Sequence, residues 1–168
     1  MGYVLGEMGH TAELRLPADR TYIVVAKRAA AALGSVARFD LEAIDDLTIA
    51  VAQAFENAIV CLERYGALAG EIRLSFKMAP DGLEVTVKST VIRDAELRAQ
   101  AREAQSRVTK ARQQVDRAAA LVTRDQRQEE IAADLALKLM GLFVDDSSYR
   151  VDERTGGLRV RLTKYRIS

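Results

Sequence analysis

Two side-chain amides, Gln53 and Asn57, are the polar groups whose spacing best suits chemistry. They stand four residues apart in Asp46–Leu62, a stretch whose apolar residues recur with the period of an α-helix. At about 100° per residue, its core face comprises Ile44, Leu47, Val51, Ala54, Phe55, Ala58 and Leu62. The opposite face holds both amides together with Ile49, Ala50, Val60 and a single nearby acid, Asp46. Because a solvated face would be rich in Lys and Glu, we expect this helix to lie between a sheet and a covered pocket or interface.

The residues before this helix predict one strand and one further helix. Glu13–Leu16 alternates as a strand and is closed by Pro17. Asp19 is suited to cap the helix that follows, which is Ala-rich over Tyr22–Leu33 and is expected to end near Gly34. The amide-bearing helix is expected to end near residues 65–66.

Two pairs of alternating segments predict β-hairpins. Ile72–Phe76 and Leu83–Lys88 are joined by a turn over 79–82 that contains Pro and Gly. Ser148–Val151 and Leu158–Leu162 form the second pair, joined by residues 152–157. The order is strand, two helices, hairpin, helical region, hairpin, which predicts an α+β layer with helices on one face of a largely antiparallel sheet.

The segment between the hairpins has a second periodicity. Its small apolar residues alternate four and three apart at Leu97, Ala101, Ala104, Val108, Ala111, Val115, Ala118 and Val122. A 3.5-residue repeat of this length predicts a long helix, which packs either on its own domain or on another chain or second protomer. Acidic residues interrupt its many arginines, so a solvated face explains the charge better than nucleic-acid binding does.

Composition bounds the class of protein. The chain has 168 residues, 49% hydrophobic and 29% charged, with a formal net charge of +1, as expected for one globular domain over 1–168. A near-neutral charge favours neither direct nucleic-acid binding nor nucleic-acid mimicry. Cys61 is the single cysteine, and no apolar run reaches membrane-spanning length. We therefore expect a protein of the reducing cytoplasm, without a membrane segment.

The stretch AVAQAFENAI, preceded by DLEAIDDLTI, resembles the N-box helix of the anti-sigma factor/serine-protein kinase family of GHKL (histidine-kinase-like) ATPases. The resemblance implies a Bergerat-type two-layer sandwich, with residues 92–130 forming a long helical segment in place of the ATP lid. In that family the helix carries Glu-Ala-x-x-Asn-Ala, in which the Glu is the general base and the Asn binds the magnesium of the nucleotide. Asn57 matches the metal and cofactor ligand, whereas Gln53 occupies the base position. Since an uncharged amide accepts no proton near neutral pH, the chain is expected to have no catalytic residue here.

Two more family motifs are altered, although the resemblance covers nearly the whole chain, including the closing hairpin and its Leu-Thr-Lys-Tyr. The Asp-x-Gly after the hairpin, whose Asp meets the adenine amino group, is replaced by Lys88-Ser89-Thr90-Val91. The glycine-rich turn before the last helix is replaced by residues 131–135, IAADL, and no glycine occurs between Gly82 and Gly141. We expect no nucleotide cofactor; ATP with magnesium at Asn57 is the open alternative.

Three functions follow as hypotheses. The first is an anti-sigma-type regulator that sequesters a sigma factor as a homodimer, is released by a STAS-type anti-anti-sigma protein, and turns over no ATP. Its partner contacts would be Lys27, where the resemblance implies a basic residue, with Arg28 and Tyr22; the alternative is that these are ordinary solvated residues. The second is an active serine-protein kinase, which would need another base such as Glu56, displaced from the Asn57 direction. The third is a scaffold that oligomerises through the long helical segment.

Overall fold

A five-stranded antiparallel sheet forms one layer of the computed structural model, which describes residues 10–67, 69–92 and 134–166. The strands are β1 (Thr11–Pro17), β2 (Gly70–Ala79), β3 (Gly82–Val91), β4 (Asp146–Asp152) and β5 (Gly157–Tyr165). Their order across the sheet is β1-β2-β3-β5-β4. Both predicted hairpins are confirmed, and the first closes through a two-residue turn, Pro80 and Asp81, between paired Ala79 and Gly82.

The second layer consists of helices that cover one face of this sheet. A 3-10 turn (Arg20–Tyr22) leads into α1 (Ile23–Val36), and α2 spans Leu41–Arg64. Residues 134–140 are also helical. Asp40 starts α2 by accepting a 2.8 Å hydrogen bond from the Ala43 N–H. Among the described residues, no helix combines the length and apolar character needed to cross a membrane.

The predicted core face of α2 is confirmed. Its residues Leu47, Val51, Ala54, Phe55, Ala58 and Leu62 are buried, and Ile44 is partly buried against the same core. They pack on the inward-facing apolar residues of the sheet. The inward residues alternate along each strand, as Ile72, Leu74 and Phe76 do in β2. Together these features confirm the expected α+β layer.

Helix α1 ends close to the expected position near Gly34, but Gly34 itself lies within the helix and serves packing rather than termination. The helix continues to Val36, and Arg38 then adopts a positive φ of 59°. Gly34 follows Ala26 and Ala30 on the buried stripe of α1. A Cβ at Gly34 would lie only 3.1 Å from Ile44 Cγ1 of α2, so the missing side chain allows the two helices to approach closely. Asp19 caps the 3-10 turn, and α1 begins only at Ile23.

Several predictions fall outside the described residues. They are the helical segment over 92–130 with its seam from Leu97 to Val122, its arginine-rich surface, and the first three residues of the 131–135 replacement. The division of the chain into a sandwich and a lid-replacing segment therefore stays a prediction.

Candidate functional site

Helix α2 brings the two amides together one turn apart. The Gln53 Nε2 group donates a 3.0 Å hydrogen bond to Asn57 Oδ1. Gln53 is half-buried, while Asn57 is only 8% exposed. The i, i+4 spacing that the sequence shows is thus used for a direct contact between the two side chains.

The second polar group of Asn57 is left without a partner. Its Nδ2 atom is buried and makes no hydrogen bond to any described residue. Asn57 lines a cavity of about 180 Å³ between α2, the helical residues 134–140 and β4. The other lining residues are Val60, Cys61, Arg64, Asp134, Leu137, Tyr149 and Val151. Since drug-sized ligands occupy roughly 300–1,000 Å³, this cavity is smaller than an ordinary cofactor site.

The far wall of the cavity carries a paired carboxylate. The Tyr149 hydroxyl donates to Asp134 Oδ1 at 2.9 Å, and Lys138 Nζ lies 2.7 Å from Asp134 Oδ2. Two hydrogen bonds lower the pKa of Asp134, of which the bond from Lys138 has the larger effect and the bond from Tyr149 the smaller. The bond between Tyr149 and Asp134 also raises the pKa of Tyr149. A carboxylate with a lowered pKa is a poor proton acceptor near neutral pH, so Asp134 does not replace the missing base.

Glu56, which the kinase hypothesis would need as a base, is engaged elsewhere. Arg20 Nε donates to Glu56 at 2.8 Å, and the same guanidinium holds Glu63 through two bonds of 2.7 and 3.0 Å. The Arg20 bond lowers the pKa of Glu63. This cluster fastens the 3-10 turn to α2. Sequence analysis missed it because Arg20 and Glu63 are 43 positions apart and no local pattern connects them.

The stretch Lys88-Ser89-Thr90-Val91, which replaces the family's Asp-x-Gly, contains a structural serine. Ser89 is buried in β3, and its Oγ accepts a 2.9 Å hydrogen bond from the Leu158 N–H of β5. Lys88 and Thr90 on either side of it are exposed. This hydroxyl therefore links β3 to β5 within the stretch where the resemblance implies an Asp that binds adenine.

Adenine nucleotide with magnesium does not fit these residues in the way the resemblance implies. The Asn57 oxygen, which is the atom suited to a hard cation, accepts one hydrogen bond from Gln53, which uses one of its two lone pairs. Within the described ranges, no group of three His, Cys, Asp or Glu residues could hold a metal ion. The Ser89 hydroxyl is bonded to the backbone of β5. Of the nucleotide and metal ligands that the resemblance implies, the described residues thus retain Asn57.

Cys61 borders the cavity beside Asn57. It is half-buried, and desolvation raises the pKa of its thiol despite the opposing charge of Arg64. Because the thiolate is the reactive form, the surroundings of Cys61 make it less reactive than a free cysteine at neutral pH.

The expected partner contacts lie on the exposed side of α1. Lys27 and Arg28 are exposed, and Tyr22 is 37% exposed at the end of the 3-10 turn. Sequence analysis missed that Val24 and Val25, between them, are also exposed, at 51% and 39%. The sequence signal for this surface was two adjacent β-branched residues directly before the Ala-rich stretch of the helix. The result is a mixed apolar and basic surface, which is the usual composition of a protein-binding patch.

The chain has the arrangement that the resemblance implies: an antiparallel sheet with helices on one face, and Asn57 on helix α2. A family model, the histidine kinase-like ATPase domain, matches residues 16–164, and the chain belongs to this family. The family resemblance seen in the sequence is thereby confirmed.

Two relatives are similar over part of the chain. They are the serine-protein kinases RsbW of Listeria innocua serovar 6a and Listeria monocytogenes serovar 1/2a. Each is 36% identical over 74 residues, which is 44% of this chain and 46% of the relative. The similarity thus spans less than half the length of these relatives.

Proposed function

We propose that this protein is an anti-sigma-type regulator of the cytoplasm that binds and sequesters a sigma factor without turning over ATP. The observation that carries the proposal is the hydrogen bond from Gln53 to Asn57, 3.0 Å long. Gln53 is an amide at the position where the resemblance implies a carboxylate base, and its side chain bonds to the oxygen of Asn57, the residue that would hold the metal. Both features support binding without ATP turnover. The pseudokinase uses the fold for binding alone.

The partner surface in this proposal is the exposed side of α1. Tyr22, Lys27 and Arg28 contact the sigma factor, and the exposed Val24 and Val25 supply the apolar contact between them. Aromatic, basic and aliphatic groups in one patch are suited to a protein partner. A homodimer presents two such surfaces, and a STAS-type anti-anti-sigma protein releases the sigma factor by competing for them.

One calorimetric titration separates binding from catalysis. The full chain is titrated with ATP and magnesium, and separately with the sigma factor that co-purifies from the native host. We expect tight sigma binding that is unchanged by ATP and no heat from nucleotide. Micromolar nucleotide binding, or transfer of phosphate to a STAS-type protein, would refute the proposal.

A charge-reversal pair tests the surface itself. Lys27→Glu with Arg28→Glu should weaken sigma binding on the order of 10–100-fold, because each reversal opposes the partner's charge. The matched control is Lys77→Glu with Arg154→Glu, which makes the same charge change at exposed positions of the sheet layer. Equal losses in both variants would show that net charge, not this surface, governs binding.

The second candidate function is an active serine-protein kinase. It is favoured by Asn57, which matches the family's metal ligand and lines a cavity, and by the similarity to two relatives that are named serine-protein kinases. The nucleotide titration decides between the candidates. A scaffold function through residues 92–130 stays a hypothesis, and comparing the self-association of the chain with and without Leu97–Val122 tests it.

A further inference from the structure

The register of the sheet aligns five basic residues in one row across all five strands. Arg15 pairs with Arg73, Arg73 with Lys88, Lys88 with Arg159, and Arg159 with Arg150. We call these five the basic row. Their sequence neighbours Leu16, Ile72, Leu74, Val87 and Leu158 are buried under the helices. Because successive side chains of a strand point to opposite faces, the basic row lies on the other face of the sheet, which no described helix covers.

The cations of the basic row lack counter-charges. Arg15, Lys88, Arg150 and Arg159 are exposed, and Arg73 is partly exposed. Among the described residues, none of the five takes part in an ion pair. Like charges directly opposite one another on neighbouring strands destabilise a sheet. An anionic partner would remove this repulsion.

The rows on either side limit what that partner can be. One flanking row carries Glu71 and Asp152, and the other carries Glu13 and Arg161 with Ser75 and Thr86 between them. A broad polyanion such as a nucleic-acid duplex or an anionic membrane would cover these acids together with the basic row. A second copy of the same face would set cations against cations. A narrow anionic element that covers a single row fits both constraints.

The spacing of the basic row points to an α-helix. Neighbouring strands lie about 4.8 Å apart, so five cations span about 19 Å. A helix rises about 5.4 Å per turn, so the spacing of one carboxylate per turn is close to the spacing of one cation per strand. A helix of about 13 residues covers the row.

The β5–β4 end of the row is recessed. Lys88, Arg159 and Arg150 line a cavity of about 470 Å³, together with Arg154 from the turn between β4 and β5 and with one acid, Asp152, so four cations face a single carboxylate in its lining. This end provides room for a carboxylate to be held between several cations, where partial removal of water strengthens the attraction.

We propose that an acidic helix of a second protein lies across the uncovered face of the sheet, with one carboxylate per turn opposite each residue of the basic row. This surface is on the other side of the sheet from α1 and does not depend on the proposed sigma binding. It is a second docking site.

A designed peptide provides the test. The probe is an 18-residue Ala-based helical peptide with one Glu stripe at i, i+4, i+7, i+11 and i+14; its control has the same composition with the Glu residues distributed around the helix. Binding to the full chain is followed by fluorescence anisotropy. We compare Arg73→Gln/Arg159→Gln, inside the row, with Lys77→Gln/Arg161→Gln, outside it. Both pairs lie on β2 and β5 and remove the same charge.

We expect the striped peptide to bind the wild-type chain and to bind the inside-row variant about tenfold more weakly. The outside-row variant should bind nearly as wild type. The inside-row variant should also melt at a higher temperature in low salt, because like-charge repulsion is relieved. This result separates lost binding from lost folding.

Three outcomes would overturn the proposal. The first is no binding of the striped peptide, and the second is equal binding of the two peptides or equal loss in the two variants. The third is tighter, row-dependent binding of a DNA oligonucleotide or of phosphatidylserine vesicles, which would assign the row to another class of partner.

Discussion

Replacing Asn57 with leucine should leave the protein as stable as the wild type or more stable, although it removes a buried hydrogen bond. The lost bond from Gln53 contributes about 0.5–1.5 kcal/mol. Against this, the unpaired Asn57 Nδ2 costs about 1–3 kcal/mol while it is buried without a partner. Gln53 is half-buried and can turn toward water once Asn57 is gone, so its own loss is small.

The difference of these terms is a gain of about 1 kcal/mol in the free energy of unfolding. For a domain of this length that is a rise in Tm of about 2–4 °C. Urea and thermal unfolding followed by circular dichroism measure both quantities.

The matched control is Gln53→Leu, which leaves both polar groups of Asn57 buried and unpaired. It should destabilise by about 1–3 kcal/mol. The double variant Gln53→Leu/Asn57→Leu should recover that loss, because no buried amide remains, and the cycle isolates the coupling between the two side chains. If Asn57→Leu destabilises by more than about 2 kcal/mol while Gln53→Leu has no effect, Asn57 has a strong partner other than Gln53. The reasoning about this site would then be wrong.

Three more predictions concern contacts around the site. Arg20→Ala should lower the free energy of unfolding by about 0.5–1 kcal/mol at pH 7, because its carboxylate partners are surface groups. Since Arg20 lowers the pKa of Glu63, this stabilisation is present above the ordinary glutamate pKa of about 4.3 and is lost as the pH falls through the lower pKa of the folded state. Urea unfolding from pH 7 to pH 2 measures it. Gly156→Ala should destabilise by about 1–3 kcal/mol, because Gly156 has a φ of 72° and a Cβ there would lie 2.5 Å from Tyr65 Cβ; thermal melting measures it. Because desolvation raises the pKa of its thiol, Cys61 should react with iodoacetamide more slowly than glutathione at pH 7.5, and its reaction should accelerate as the pH rises; intact-mass spectrometry follows both.

Each of these has a contrary outcome. A loss on Arg20→Ala that persists unchanged to pH 2 would show that the guanidinium packs rather than pairs. A neutral Gly156→Ala would mean that the β4–β5 turn does not rest on the end of α2. Alkylation of Cys61 at the rate of free glutathione would contradict the burial of its thiol.

Local chemistry explains which parts of the fold were predictable. The apolar period of Asp46–Leu62 selects α2 and its buried face without reference to any other element. Pro80 and Gly82 mark the first hairpin in the same way, since their backbone preferences are properties of single residues. The i, i+4 spacing of Gln53 and Asn57 likewise placed both amides on one side of a helix. The altered family motifs, which are the N-box, the Asp-x-Gly and the glycine-rich turn, could also be recognised from the residues of the sequence alone.

The remaining features depend on elements that are distant in sequence. Gly34 is a typical helix-ending residue, and only the approach of Ile44 explains why α1 continues through it. Ser89 is an ordinary strand residue until Leu158 is placed beside it. No property of a single segment encodes either contact.

The sequence by itself determined the two layers, the amide pair and the glutamine at the position where the resemblance implies a base, because side-chain periodicity and residue chemistry are local. Tertiary structure decided that the Asn57 oxygen accepts a hydrogen bond from Gln53, that Glu56 pairs with Arg20, and that Arg15, Arg73, Lys88, Arg159 and Arg150 share one row. These facts depend on helix docking and strand register. Both are fixed by the joint burial of many residues, so no short stretch of sequence reveals them.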